Sequence, residues 1–267
     1  MMTATLVDAH AHLQPVFDVE RFLDAAAVNV RCCAERLGLP ADEAVGCLLL
    51  ADDASFTQCR RLRTAPALAR WRITPGEEPT SLHARVDGDG APPLVIVAGR
   101  QVVTAERLEV LAVNTLEAFA EGEAFDDTLR CVVSATGQAI VPWGAGKWLG
   151  ARGRLVARAL GRMRDGQVLL GDNAARPRGV PRPALFREAR RRGVAILPGS
   201  DPLPLPAELA SVGSFGFMLA GPLCRAAPGR DLASRLQRLT HQPRAFGRRK
   251  SLLMTTRRQL QLRMNGR

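Results

Sequence analysis

The chain has 267 residues, 46% of them hydrophobic, six cysteines and a formal net charge of +11. That length and composition suit a protein with a full core of its own, and they exclude a disordered chain or a small disulfide-built scaffold. The charge is concentrated: residues 225–267 carry twelve cations and a single acid, Asp231, whereas residues 1–224 are balanced.

The basic end has dense points at Arg248-Arg249-Lys250 and Arg257-Arg258. Such a tail can touch phosphates or an anionic surface. Residues 248–267 contain no Phe, Tyr or Trp to stack on bases, so a solvated tail is favoured over a nucleic-acid arm. No cysteine pair has C-x-x-C or zinc-ribbon spacing, which is the pattern of reduced thiols. The N-terminus lacks a basic segment followed by an apolar one, and runs such as Leu94–Ala98 are too short to span a bilayer. The expectation is a soluble, cytoplasmic protein with no membrane span. Nothing in the sequence fixes its oligomeric state.

Along the chain, Thr5–Leu13 reads as a first strand. Val19–Leu37 reads as a helix, with Phe22, Leu23, Ala26, Val30 and Cys33 near a 3.6-residue period, stopped by Gly38 and Pro40. Val45–Ala51 is a buried-strand run, and β-helix-β order predicts parallel strands. Trp71–Thr74 and Ser81–Val86 predict an antiparallel excursion, turned at Gly88-Asp89-Gly90. Leu94–Ala98 follows as a strand. Thr104 is expected to cap a helix over Ala105–Ala120. Further strands are expected at Leu129–Ser134, Gln138–Pro142, Val168–Gly171 and Val194–Leu197, and helices at Leu149–Arg164 and Pro183–Arg192. The alternation predicts an α/β fold: a (β/α) TIM-like barrel over residues 1–247, incomplete or distorted, followed by the basic tail 248–267. An open doubly wound sheet is the alternative, but no Gly-rich dinucleotide fingerprint follows any strand.

The chemistry begins at Asp8-Ala9-His10-Ala11-His12, which holds two of the four histidines. Residues two apart on a strand share a face, so His10 and His12 can aim two imidazoles at one ion, with Asp8 behind them. Barrel chemistry sits where parallel strands end. Asp201, between the run Val194–Leu197 and Pro202, is the strongest carboxylate partner there: it can bind a metal and accept a proton from water. Asp172 lies at a similar strand end and is a further candidate ligand. Lys147 is one of two lysines among 35 arginines, the other being Lys250. Its place between Gly146 and Trp148 points to a property guanidinium lacks: a tunable pKa, a compact charge or a carbamylated metal bridge. His83 and His241 read as structural.

The D-x-H-x-H of Asp8–His12 resembles the amidohydrolase superfamily of metal-dependent hydrolases. Gly199-Ser200-Asp201-Pro202 is similar to the family's last-strand aspartate. Leu236–Gly247 is similar to its closing helix, with an N-P-A-R-x-x-G flavour. The resemblance implies a barrel fold and a divalent metal ion, most often zinc. It implies His10 and His12 as ligands, and Asp201 as a ligand that also handles the proton of the attacking water. The bond cleaved would be an amide, ester or phosphoester of a small-molecule substrate. The family places two more histidines on middle strands, where this chain has none. Asp172 would substitute for them, and Lys147 for the bridging lysine of binuclear members. Two other readings follow from the same motif. One is a non-catalytic descendant acting as a binding or scaffold protein. The other resembles the TatD-type DNases, in which the basic tail would meet nucleic acid.

Overall fold

A computed structural model describes residues 4–40, 43–53, 58–64, 68–88, 91–162, 166–256 and 261. In chain order its elements are β1 (Ala4–Ala11), α1 (Val19–Leu37), β2 (Ala44–Asp52), α2 (Gln58–Arg63), β3 (Trp71–Pro75), β4 (Ser81–Val86), β5 (Leu94–Val103) and β6 (Glu109–Val113). They continue with α3 (Phe125–Thr136), β7 (Ala139–Pro142), α4 (Gly150–Arg162), β8 (Val168–Asn173), α5 (Ala184–Arg191) and β9 (Ile196–Gly199). A 3-10 turn over Pro206–Ser211, β10 (Phe215–Ala220), α6 (Pro228–Gln237) and β11 (Arg244–Gly247) complete the order.

The main sheet runs β11-β10-β1-β2-β5-β6-β7-β8-β9 and curls into a nearly closed barrel. Its pairing is mixed. β1, β2 and β5 are parallel neighbours, as are β7, β8 and β9, while β6 is antiparallel to both β5 and β7 and β10 is antiparallel to β1. The expected α/β fold with a barrel-shaped sheet is present, but the continuous parallel alternation of a TIM barrel is interrupted at two strands, β6 and β10. The predicted antiparallel excursion exists as β3 and β4, docked on the first half of β5. Its turn at Gly88-Asp89-Gly90 falls partly outside the described residues, as do the last residues of the predicted helix Leu149–Arg164.

Three other expectations are overturned. Thr104 does not cap a helix. Its backbone N–H and carbonyl meet Leu108 and Arg107, and its hydroxyl accepts from the Leu108 N–H at 3.2 Å, which closes a tight loop into β6. Arg107 takes a left-handed backbone there, with φ +60°. Leu108–Val113 is rich in the large and β-branched residues that strands favour. The run Leu129–Ser134 is helical within α3, where Leu129, Val132 and Val133 bury one face. Leu236–Gly247 is not a closing helix, for α6 ends at Gln237 and Arg244–Gly247 pairs with β10.

Where the sequence pattern is strongest, local chemistry and fold agree. Asp18 caps α1 by accepting from the Arg21 N–H at 3.0 Å, and Gly38 ends it with φ +74°. Alternation along the strands sorts side chains into layers. Val7, Leu49, Val97, Leu111, Ile140, Leu169, Leu197 and Phe217 fill the barrel interior. Leu6, Leu48, Leu50 and Ile96 face outward to α1. Val110, Val141 and Leu170 face outward to the α3, α4 and α5 side. No helix among the described residues is long and apolar enough to cross a membrane.

The barrel closes where β9 comes up against β1. A Cβ placed on Gly199 would lie 2.5 Å from the His10 backbone nitrogen and 2.6 Å from its Cβ, so only glycine permits this approach. Gly199→Ala is expected to destabilise the fold by about 1–3 kcal/mol, since rigid backbone would have to move. Urea unfolding of the variant against the parent checks this, and an unchanged midpoint would contradict it.

Candidate metal centre

The parallel strands all end on one side of the barrel, and the polar residues gather there. β1 delivers His10 and, just past its end, His12; β5 delivers Gln101; β8 ends in Asn173; and Asp201 follows β9. Antiparallel β6 begins at this end, which brings in Glu109 opposite Val103.

A register shift in the β1–β2 pairing between Asp8 and Ala11 decides which side chains meet. Before it, Val7 and Ala9 belong to the interior layer; after it, Ala11 packs on the α1 side. The shift inverts the alternation. It sends the two histidines into the barrel mouth and separates them from Asp8. Asp8 therefore does not back the imidazoles as its spacing suggests. Its buried carboxylate accepts from the backbone N–H of His10 at 3.2 Å, of Ser200 at 2.8 Å and of Gly213 at 3.0 Å, and from the Ser200 hydroxyl. Burial pushes its pKa up to about 6, against four hydrogen bonds that favour the charged form.

His10 Nε2 lies 2.9 Å from His12 Nε2 and 2.9 Å from Gln101 Oε1. Asp201 Oδ1 lies 3.8 Å from the first imidazole nitrogen and 3.6 Å from the second. The other Asp201 oxygen accepts from Asn173 Nδ2 at 2.8 Å, and the same amide nitrogen donates to the Trp143 carbonyl at 2.8 Å. Asp201 itself sits in the left-handed region, φ +45°, directly before Pro202. Its N–H, donating to the His10 carbonyl at 2.8 Å, holds it there. A non-glycine residue in that conformation stores strain of the kind often found at functional positions.

Burial depresses the basicity of His10, and His12 beside it adds to that, while Asp201 opposes both. In His12 burial acts the same way, but the Asp201 carboxylate, aided by Glu109, outweighs it and raises the pKa. Burial alone would push Asp201 up; the two histidines instead hold it well below the usual carboxylate range.

His10, His12 and Asp201 form a group able to hold a metal ion. Four lone-pair atoms converge there: two imidazole nitrogens, a carboxylate oxygen and the Gln101 amide oxygen. One proton on His10 Nε2 cannot serve all its neighbours, whereas a cation at the centre would. The Nε2–Nε2 spacing is slightly tighter than the about 3.3 Å expected across a tetrahedral zinc ion, a small ring rotation away. Two nitrogens and one carboxylate oxygen are a donor set of catalytic zinc type, with room for a further ligand. The residues present therefore fit the group.

Of the other residues singled out by sequence, Lys147 lines the cavity beside the centre and Asp172 does not join it. The cavity is about 430 Å³ in volume, and its walls include His12, Glu109, Trp143, Lys147, Asn173 and Asp201. Lys147 Nζ is ion-paired with Glu109. Asp172 points the other way. Arg176 forks onto its two oxygens at 2.6 Å each, and the guanidinium lies over the Phe186 ring. Counting from Leu170, which faces the helices, predicts this: Asp172 shares that parity and Asn173 has the opposite one. His83 and His241 lie away from the centre. The first meets the Arg225 carbonyl and the second Thr240.

Asp172→Ala is expected to cost about 3–5 kcal/mol of stability, because it strands a buried guanidinium, yet to leave metal binding intact. Thermal unfolding and metal analysis of the same preparation separate the two; loss of metal without loss of stability would restore Asp172 as a ligand.

No family model matches the chain, and no curated protein matches it. Among solved structures it is similar to PsfC from Pseudomonas syringae PB-5123, with a TM-score of 0.57 and 17% identity, over 98% of this chain and 100% of that one. At that identity the likeness speaks for the fold alone.

Proposed function

We propose that the chain is a metal-dependent hydrolase of amidohydrolase type, acting on an amide, ester or phosphoester bond of a small polar molecule. The observation that carries this reading is the convergence of His10, His12 and Asp201 at the mouth of a cavity of about 430 Å³, where strands running in one direction end. A divalent ion held there, zinc by its donor set, would polarise the scissile bond and lower the pKa of water.

The chain's own residues divide the remaining work. Asn173 fixes one Asp201 oxygen, so that the other faces the histidines. Asp201, whose Oδ1 faces both imidazoles, is the candidate proton acceptor of the pair formed by Asp201 and Glu109. Across the cavity, Lys147 Nζ holds the Glu109 carboxylate, and its ammonium is placed to neutralise charge on a departing oxygen or nitrogen. Glu109 acts electrostatically on both histidines. We assign it the second proton-handling role, which the sequence reading did not foresee. Trp143 supplies an apolar wall, and Asp53 and Gln14 add polar edges.

The expected outcome is close to one zinc per full-length chain by elemental analysis, and loss of it in His10→Ala/His12→Ala. Unchanged metal content in that double variant would contradict the reading. Glu109→Gln is expected to keep the metal and to lose about 10²-fold in turnover of activated ester or phosphoester substrates, the usual weight of one acid–base group. Equal turnover with metal retained would remove Glu109 from the chemistry.

A further inference from the structure

The basic C-terminal segment departs from the solvated tail that its composition suggests. Its Arg257-Arg258 pair lies outside the described residues, but residues 248–256 lie along the loop that follows β8. The Lys250 N–H donates to the Ala174 carbonyl at 2.8 Å, and the Lys250 carbonyl accepts from the Arg178 N–H at 2.9 Å. One turn on, the Thr255 hydroxyl reaches the Ala175 carbonyl at 3.4 Å, and Thr255 forms part of the cavity wall. The Lys250 side chain is only 9% exposed, and its ammonium is ion-paired with Glu208, whose side chain is fully buried.

These contacts connect to the candidate metal centre from two sides. Ala174 and Ala175, which the segment binds, directly follow Asn173, the residue that orients Asp201. Glu208 belongs to the turn Pro206–Ser211, where the Ser211 hydroxyl donates to its carbonyl at 2.6 Å. Two residues later the Gly213 N–H donates to Asp8, and Asp8 in turn holds the His10 backbone. Both of the chain's lysines thus stand at this end of the barrel, each paired with a glutamate: Lys147 with Glu109 and Lys250 with Glu208.

We propose that residues 248–256 are a strap that completes the metal site, with Lys250 as its positioning residue and Thr255 as its contribution to the cavity wall. The strap holds the Asn173 loop so that Asp201 stays aimed at the histidines, and it narrows the opening through which a substrate enters. A compact ammonium suits the Glu208 contact, because the pair is enclosed and the larger, planar guanidinium used at 35 other positions would need more room. This proposal rests on the metal reading of His10, His12 and Asp201.

The test uses the full-length chain loaded with cobalt(II), whose visible spectrum reports ligand geometry, together with zinc affinity by competition with a chelator. Glu208→Gln/Lys250→Met replaces the ion pair by two neutral side chains, so that neither member is left facing the loss of the other. Thr255→Pro removes the Thr255 N–H bond to the Ser251 carbonyl and unravels the strap from its outer end. Each is expected to weaken zinc binding about tenfold or more, the scale of an outer-shell loss, and to alter the cobalt spectrum. Thermal unfolding shows that each variant is folded. If the charge-pair variant fails to fold, Thr255→Pro, which alters only an outer segment, decides. Parent-like zinc affinity and cobalt spectrum in a folded variant would overturn the strap. Zinc binding that survives in His10→Ala/His12→Ala would instead overturn the metal reading beneath it, so the two failures are distinguishable.

Discussion

Asp8 places a buried carboxylate between β1, the end of β9 and the turn before β10, where it accepts from the backbone of Ser200, Gly213 and His10 and from the Ser200 hydroxyl. A buried charge is costly unless its lone pairs are filled, and here donors from three separate segments fill them. The first strand, the end of β9 and the turn before β10 are thereby joined at one point. The placing of His10 against Asp201 depends on that joint. It fixes the His10 backbone on one side and the start of the Asp201 loop on the other, across a seam so tight that Gly199 cannot carry a Cβ. The histidines and the aspartate are some 190 residues apart in sequence, and this carboxylate is what brings their backbones into register.

Much of this was legible in the sequence. Two histidines two residues apart on an apolar strand, and an aspartate between a buried run and a proline, are local patterns, and the fold brings them together. The helices with clear periodicity and terminal signals, such as α1 between Asp18 and Gly38, lie where predicted. What could not be read depends on parity and on long-range pairing. The register shift in β1 sends Asp8 and the histidines to different partners, and no spacing rule reveals a shift set by the neighbouring strand. Asp172 and Asn173 are adjacent, and a single step of alternation decides which reaches the site. Glu109 was hidden because Ala105–Ala120 carries helix-forming residues; the pairing of β6 between β5 and β7 overrides that local preference.

Charge was informative in an unexpected way. The excess of arginine near the C-terminus invited a reading in terms of nucleic acid, but the informative residue within it is a lysine. Arginine fills varied positions, among them exposed surfaces, the buried Arg100 that donates to backbone carbonyls, and the fork of Arg176 on Asp172. The two lysines meet glutamates at one end of the barrel, Lys147 with Glu109 on the cavity wall and Lys250 with the buried Glu208. Composition reveals the rarity of lysine, and only the fold reveals that both copies stand at one end of the barrel.

The central claim is that His10, His12 and Asp201 act together as ligands of one metal ion. X-ray absorption at the zinc edge of the full-length, zinc-loaded chain addresses it directly. A zinc ion held by these residues gives a first shell of nitrogen and oxygen only, at about 2.0–2.1 Å, with outer-shell scattering that requires two imidazoles. A sulfur shell near about 2.3 Å would assign the metal to the cysteines. That result, or a spectrum with no imidazole contribution, would contradict the claim.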